Sequence, residues 1–212
     1  MADFKFPTEV VELPSKGYFY TEGHPLTKGK VEIKYMTAKE EDILTSQNLI
    51  KQGTVIDVLL QSLIVDKTIK IDDLLVGDKN AIMVAARILG YGKEYQFTYD
   101  GEEQTADLSK LDAKEIDFSE FTKGMNEFSF DLPNSKRTVT FKLLNGKDEK
   151  QIDAEIKAKQ RISKERSSEL TTRLKHLILS VDGKSEKSHI NNFVDNEFLS
   201  VDSLAFRQYL TS

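Results

Sequence analysis

The sequence predicts an α+β protein in which helical lobes flank a small antiparallel β-hairpin sheet. Three observations carry this. Residues 31–91 open on apolar–polar alternation and pass into capped helical runs. Residues 94–144 hold two period-two stretches, each folded about a turn signal. Residues 147–175 are mostly strong helix formers, and further helical patterns follow them. The chain divides accordingly into 1–92 (arm, aromatic turn, strand and helical lobe), 93–146 (β-hairpin insert) and 147–212 (charged helix and C-terminal helical lobe).

Residues 1–10 read as a loose arm. In residues 12–26, ELPSKGYFYTEGHPL, Pro14 stiffens the chain, and Gly17 and Gly23 permit turns. Tyr18, Phe19 and Tyr20 form an aromatic cluster there that either packs over the first strand or docks on a partner. Val31, Ile33 and Tyr35 alternate with Glu32 and Lys34 as a half-buried strand. Thr37 and Glu40 have capping-box spacing, so a helix follows through Ile43 and Leu44. Gly53 and Thr54 end it and start another, with Asp57 in the first turn, where the helix dipole favours an acid. Val55, Val58, Leu59, Ser62 and Leu63 make its expected inward face. A third helix spans roughly 78–89, with Ala81, Ile82, Ala85, Ala86 and Leu89 on one narrow side and Gly90 as a left-handed C-cap.

Tyr95, Phe97 and Tyr99 alternate with polar residues, and Asp100-Gly101 is a tight-turn signal returning the chain through 103–108. A polar connection containing Ile116, Phe118 and Phe121 follows. Residues 127–132 and 137–144 form a second hairpin about Pro133-Asn134-Ser135, and 94–144 together predict one small antiparallel sheet. In the long charged helix Ile152 and Ile156 are among few apolar anchors, so it is solvent-exposed or partner-dependent. Leu170, Leu174, Leu177 and Ile178 form an apolar helical face, and Asp182-Gly183 turns the chain. Residues 189–198 and 201–210 predict two last helices, the second capped by Ser200 or Asp202. LLQSLIVDK with its downstream helix echoes LKHLILSVDGK with its own, which is either one helical plan used twice or coincidence in a leucine-rich chain.

The 212 residues are 39% hydrophobic and 31% charged, with a formal net charge of −5, which disfavours general attraction to nucleic acid or anionic membrane. No window has the ~18 apolar residues of a membrane span, and the N-terminus lacks a signal-peptide pattern. Absence of cysteine excludes disulfides, thiolate zinc and cysteine catalysis. Charge is uneven. Residues 101–120 hold seven acids and two lysines, while Lys157, Lys159, Arg161, Lys164 and Arg166 face only Glu165 in 157–166. The two segments are either solvated faces or a complementary contact, within the molecule or between copies. Lys157, Arg161 and Lys164 share one side of their helix; a nucleic-acid-binding regulator is the alternative reading they raise, without aromatics interleaved to stack bases. Adjacent acids (Asp72-Asp73, Glu40-Glu41-Asp42) point to different sides of a helix and suit its first turn. His24, His176 and His189 have no ligand company. No catalytic residue, metal ligand or cofactor is predicted, and the chain is read as a non-enzyme.

VVELPSKGYFYTEGHPL, KVEIKYMTAKEEDIL, LLVGDKNAIMVAARILGYGKEY and VDSLAFRQYL, in this order across most of the chain, resemble the baseplate hub assembly proteins of T-even-type contractile-tailed phages. The resemblance implies a non-enzymatic assembly factor or component acting through protein–protein contacts with baseplate hub proteins. It implies a place in the host cytoplasm during assembly, with the virion baseplate as a further location, and leaves self-association open. Tyr18, Phe19, Tyr20, Lys157, Arg161 and Lys164 are the expected partner-binding residues. Relatives often carry Cys-x-x-Cys pairs in the hairpin that corresponds to 94–108. Here Asp100-Gly101 and flanking acids occupy that tip, so zinc is not carried over.

Overall fold

The computed structural model describes residues 7–111, 114–162 and 168–211. Helices and small antiparallel sheets of two or three strands make an α+β protein. The chain forms two compact units, Met1–Met125 and Asn126–Ser212.

In the first unit β1 (Thr8–Glu12) pairs antiparallel with β2 (Lys30–Lys34), Val11 opposite Val31. Alternation on β2 buries Val31 and Ile33 and exposes Lys30 and Glu32. α1 (Ala38–Thr45), α2 (Gln47–Gln52) and α3 (Val55–Leu63) follow. Ile64 then bridges Ile33, and the Val65 N–H donates to the Glu32 carbonyl at 3.0 Å. A short 3₁₀ turn (Ile71–Asp73) leads into α4 (Val76–Tyr91), and β3 (Glu94–Tyr99) and β4 (Glu102–Asp107) close the unit's regular structure as a separate hairpin. Leu13, Leu26, Ile33, Leu60, Leu63, Ile64, Leu74 and Ile82 are its fully buried core.

In the second unit β5 (Phe128–Asp131), β6 (Thr138–Phe141) and β7 (Ile178–Val181) form one sheet in that order. Between β6 and β7 come α5 (Gly146–Ile162) and α6 (Glu169–Leu177). α7 (Lys187–Asn192), a wide turn over Phe193–Glu197 and α8 (Ser200–Thr211) follow β7. Phe206 of α8 is fully buried and lies edge-on to Phe141 at 5.1 Å between ring centroids.

The two units share part of their element order. Each opens with a hairpin whose first strand runs into Leu-Pro, continues through helices to a strand-like segment beside the hairpin, turns at Val-Asp, and reaches a helix with an aspartate in its first turn, which β3–β4 follows in the first unit. The likeness extends to single residues. Lys34 pairs with buried Glu40, and Lys142 with buried Asp148, both at 2.7 Å. Lys16 and Lys136, in the two Leu-Pro turns, both hold positive φ (47° and 58°). The echo noted in the sequence thus falls on segments with a similar order of elements in the two units.

Several elements differ from expectation. The two hairpins do not join: β3–β4 is a two-stranded sheet of the first unit, and β5–β6 belongs to the second. Ile178 begins β7 instead of ending a helical face, because β-branched Ile178 and Val181 pair against Phe141 and Val139. The helix expected up to Gly53 breaks at Ser46, whose extended backbone starts α2. On α3 the buried face is Leu59, Leu60 and Leu63, while Val58 is outward. Either Val58 or Leu60 extends the stripe through Leu59 and Leu63, and the larger side chain occupies the core. α4 runs past Gly90 and ends at Gly92, φ 83°. Gly90 is small for another reason: a Cβ there would meet Met36 Cε at 1.8 Å.

Candidate functional site

The aromatic turn is built from its backbone outward. Gly17 and Gly29 approach so closely that a Cβ on Gly17 would lie 2.6 Å from the Leu26 and Thr27 carbonyl oxygens, and both glycines have positive φ. This close approach turns Tyr18, Phe19 and Tyr20 toward the body of the first unit. Phe19 and Tyr20 are 6% and 7% exposed. Phe19 packs against Phe118 and Phe121, Tyr18 against Phe118, and the Tyr18 hydroxyl donates to the Phe121 carbonyl at 3.0 Å. The polar connection after β4 therefore wraps the aromatic turn. Phe19 and Tyr20 are interior rings in this fold and present no outward anchor; Tyr18 is half-buried.

Tyr20 belongs to a buried polar knot that spacing alone did not reveal. The Asp78 carboxylate, on the first turn of α4, accepts from the Ser15 N–H at 3.0 Å, the Ser15 hydroxyl at 2.6 Å and the Tyr20 hydroxyl at 2.6 Å. The Tyr20 oxygen in turn accepts from the Leu75 N–H. Burial and the adjacent Asp78 charge push the Tyr20 hydroxyl far above the ordinary tyrosine value, so it stays a donor. The second unit repeats the device. Asp202 of α8 is fully buried and accepts from Asn134 N–H (2.8 Å), the Asn134 side-chain amide (2.9 Å) and Ser135 N–H (2.9 Å). Burial alone would raise its carboxyl, but these donors outweigh it and hold the group at about 2. Asp202 thus clamps the β5–β6 turn, not the end of its own helix. The common signal was present in the sequence as Leu-Pro followed within three residues by serine, paired with a first-turn aspartate.

The remaining acids of the helical stretch have separate structural partners. Glu40 accepts from Lys34 and from the Thr37 N–H and hydroxyl, the expected capping partnership. Burial opposes its ionisation, and those hydrogen bonds hold it at about 2. Asp57 pairs with Lys79, and Asp73 lies 3.7 Å from His24. None of Glu40, Asp42, Asp57, Asp73 or Asp78 lines either of two grooves in the first unit, each about 680 Å³. One groove runs along Ala81, Val84, Ala85 and Ile88 of α4; the other is apolar, lined by Met36, Leu44, Met83 and Tyr91 among others. Among the described residues no three His, Cys, Asp or Glu side chains gather in a metal-binding group, and no helix is long and apolar enough to cross a membrane.

Two outward surfaces among the described residues carry the expected cations and the aromatic residues of the first hairpin. On α5, Ile152 is fully buried and Glu149 and Glu155 face Arg173 and His176 of α6. That leaves Lys157 and Arg161 exposed, with Ala154 and Ala158 between them in an i, i+3, i+4, i+7 stripe. Lys159 points instead to Glu155 and the Thr172 hydroxyl. Lys164 lies outside the described residues. The second surface is the β3–β4 hairpin, whose Tyr95, Phe97 and Tyr99 are 45%, 40% and 73% exposed. No family model, curated protein or solved structure matches the chain.

Proposed function

We propose that this chain is a non-enzymatic phage morphogenesis protein that promotes or takes part in assembly of the tail baseplate hub through protein–protein contacts. The observation that carries the reading is where the motifs of the resemblance meet. Ser15 and Tyr20 of the first motif and Leu75 and Asp78 of the third motif converge on one buried knot. Asp202 of the fourth motif holds the equivalent turn of the second unit. The motifs therefore coincide with what holds each unit together internally. The buried carboxylates Glu40, Asp78 and Asp202 are drawn into caps and clamps, and the exposed α5 and β3–β4 faces suit contact with other proteins.

In this reading the protein captures an unassembled hub surface until it docks. Lys157 and Arg161 set register and speed encounter, since exposed charges act on association rate and specificity more than on affinity. Co-expression with hub proteins followed by pull-down tests this. The expected result is a stable complex that weakens when Lys157 and Arg161 are reversed in sign; hub proteins that assemble equally well alone and never bind the chain would remove the proposal. The exposure of Lys157 and Arg161 also suits a nucleic-acid-binding regulator. That reading requires binding that falls steeply with salt, and no measurable DNA or RNA binding at low salt dismisses it.

A further inference from the structure

The β3–β4 hairpin has two unlike faces. Residues directly opposite in an antiparallel pair share a face. The register Tyr95↔Ala106, Phe97↔Gln104 and Tyr99↔Glu102 therefore collects three aromatic rings and one carboxylate on one face. Glu94↔Asp107, Gln96↔Thr105 and Thr98↔Glu103 make the other face entirely polar. Every residue of β3 is exposed, so the aromatic face lacks the cover that such a face has in a packed sheet. Tyr95 and Phe97 stack on each other at 6.1 Å, and the Arg87 guanidinium sits 5.7 Å from the Tyr95 ring and 5.1 Å from Tyr91. A cation over these rings is thus already part of the surface at the base of the hairpin.

We propose that this aromatic face receives the outward stripe of α5 from a second copy of the chain. The match is chemical and geometric. Ala154 and Ala158 are small enough to let a helix lie flat against a sheet face, and Lys157 and Arg161 stand beside them to meet ring faces and the Glu102 carboxylate. Charge selects this pairing. The aromatic face carries the Glu102 carboxylate beside Tyr99, and the α5 stripe brings Lys157 and Arg161 to it, whereas a second aromatic face would bring another carboxylate. The contact joins unlike surfaces of two copies, so it is heterologous and continues from copy to copy or closes into a ring. Three rings against four helix residues make a small interface, so association is weak and concentration-dependent. The inference is independent of hub binding, because it concerns the isolated protein.

Analytical ultracentrifugation of the full chain at low and high salt tests it. At low salt the weight-average mass rises with concentration above the 24.1 kDa of one chain, and it returns toward that value in high salt. Reversing both cations (Lys157→Glu with Arg161→Glu) weakens association about tenfold, the effect of losing one exposed ion pair and one cation–ring contact. Phe97→Ser weakens it independently of salt. Combining Glu102→Lys with Arg161→Glu restores association relative to either change alone, which no general loss of folding can do. A mass of one chain at all concentrations and low salt overturns the proposal. So does association that ignores both Phe97→Ser and the charge reversals, since the copies would then meet through another surface.

Discussion

Asp78 and Asp202 illustrate how a buried charge becomes structure. Each carboxylate is out of contact with water and survives there because every neighbour pointing at it is a donor. Replacing Asp78 by alanine leaves the Ser15 and Tyr20 donors facing nothing, a loss of about 3 kcal/mol. Tyr20→Phe removes one donor to Asp78 and the acceptor for Leu75 N–H, and costs about 1–2 kcal/mol. Urea unfolding of the two variants checks both values and their order. Glu40 and Asp202 contribute to stability on the acid side. Their folded values of about 2 lie below the ordinary 4.5 and 3.8, so each contributes stability that is fully present above those ordinary values. That contribution fades as pH falls from about 4.5 toward 2. Glu40→Gln and Asp202→Asn should each flatten the decline of melting temperature in that window while leaving a lower, nearly constant value above it. A slope unchanged from the parent in both variants would show that other carboxylates control acid unfolding.

Among the elements, the glycines separate two kinds of constraint. Gly17→Ala asks a Cβ to sit 2.6 Å from fixed carbonyl oxygens at a positive φ, so the whole turn must move. Gly90→Ala displaces only the terminal methyl of Met36, and the helix interior gains propensity of up to about 1 kcal/mol. Thermal melts should therefore show a large loss for Gly17→Ala and a change near zero for Gly90→Ala. This contrast also marks what could be read in advance. Strand β2, the Thr37–Glu40 cap, the Asp100-Gly101 hairpin and the Pro133-Asn134-Ser135 turn follow from local chemistry and were legible. The role of Gly90, the face of α3 and strand β7 were not, because each is decided by a distant partner: Met36, the core about Leu60, and β6. The expected partner residues divide the same way. Lys157 and Arg161 are outward because their helix is amphipathic, whereas the fate of Phe19 and Tyr20 depends on Phe118, Phe121 and Asp78.

Taken whole, the two units share an order of hairpin, helices, strand-like segment and clamped helix, each with its own additions. The first unit adds the aromatic turn and the β3–β4 hairpin, and the second extends its first helix into the charged α5. A clamped scaffold leaves its variable parts free to carry contacts, which is how surface-acting proteins are commonly organised. Because Asp78 and Asp202 serve separate units, substitutions at the two positions should add in their effect on stability and should each act on their own unit's hydrogen-exchange protection. The claim that ties these features to a function is that hub assembly depends on this protein. Electron microscopy of infected cells in which the chain is not made decides it. The account predicts that completed baseplates with a central hub are missing and return when the chain is supplied in trans, and that Lys157→Glu with Arg161→Glu restores them poorly. Complete hubs formed in normal numbers without the chain would contradict it.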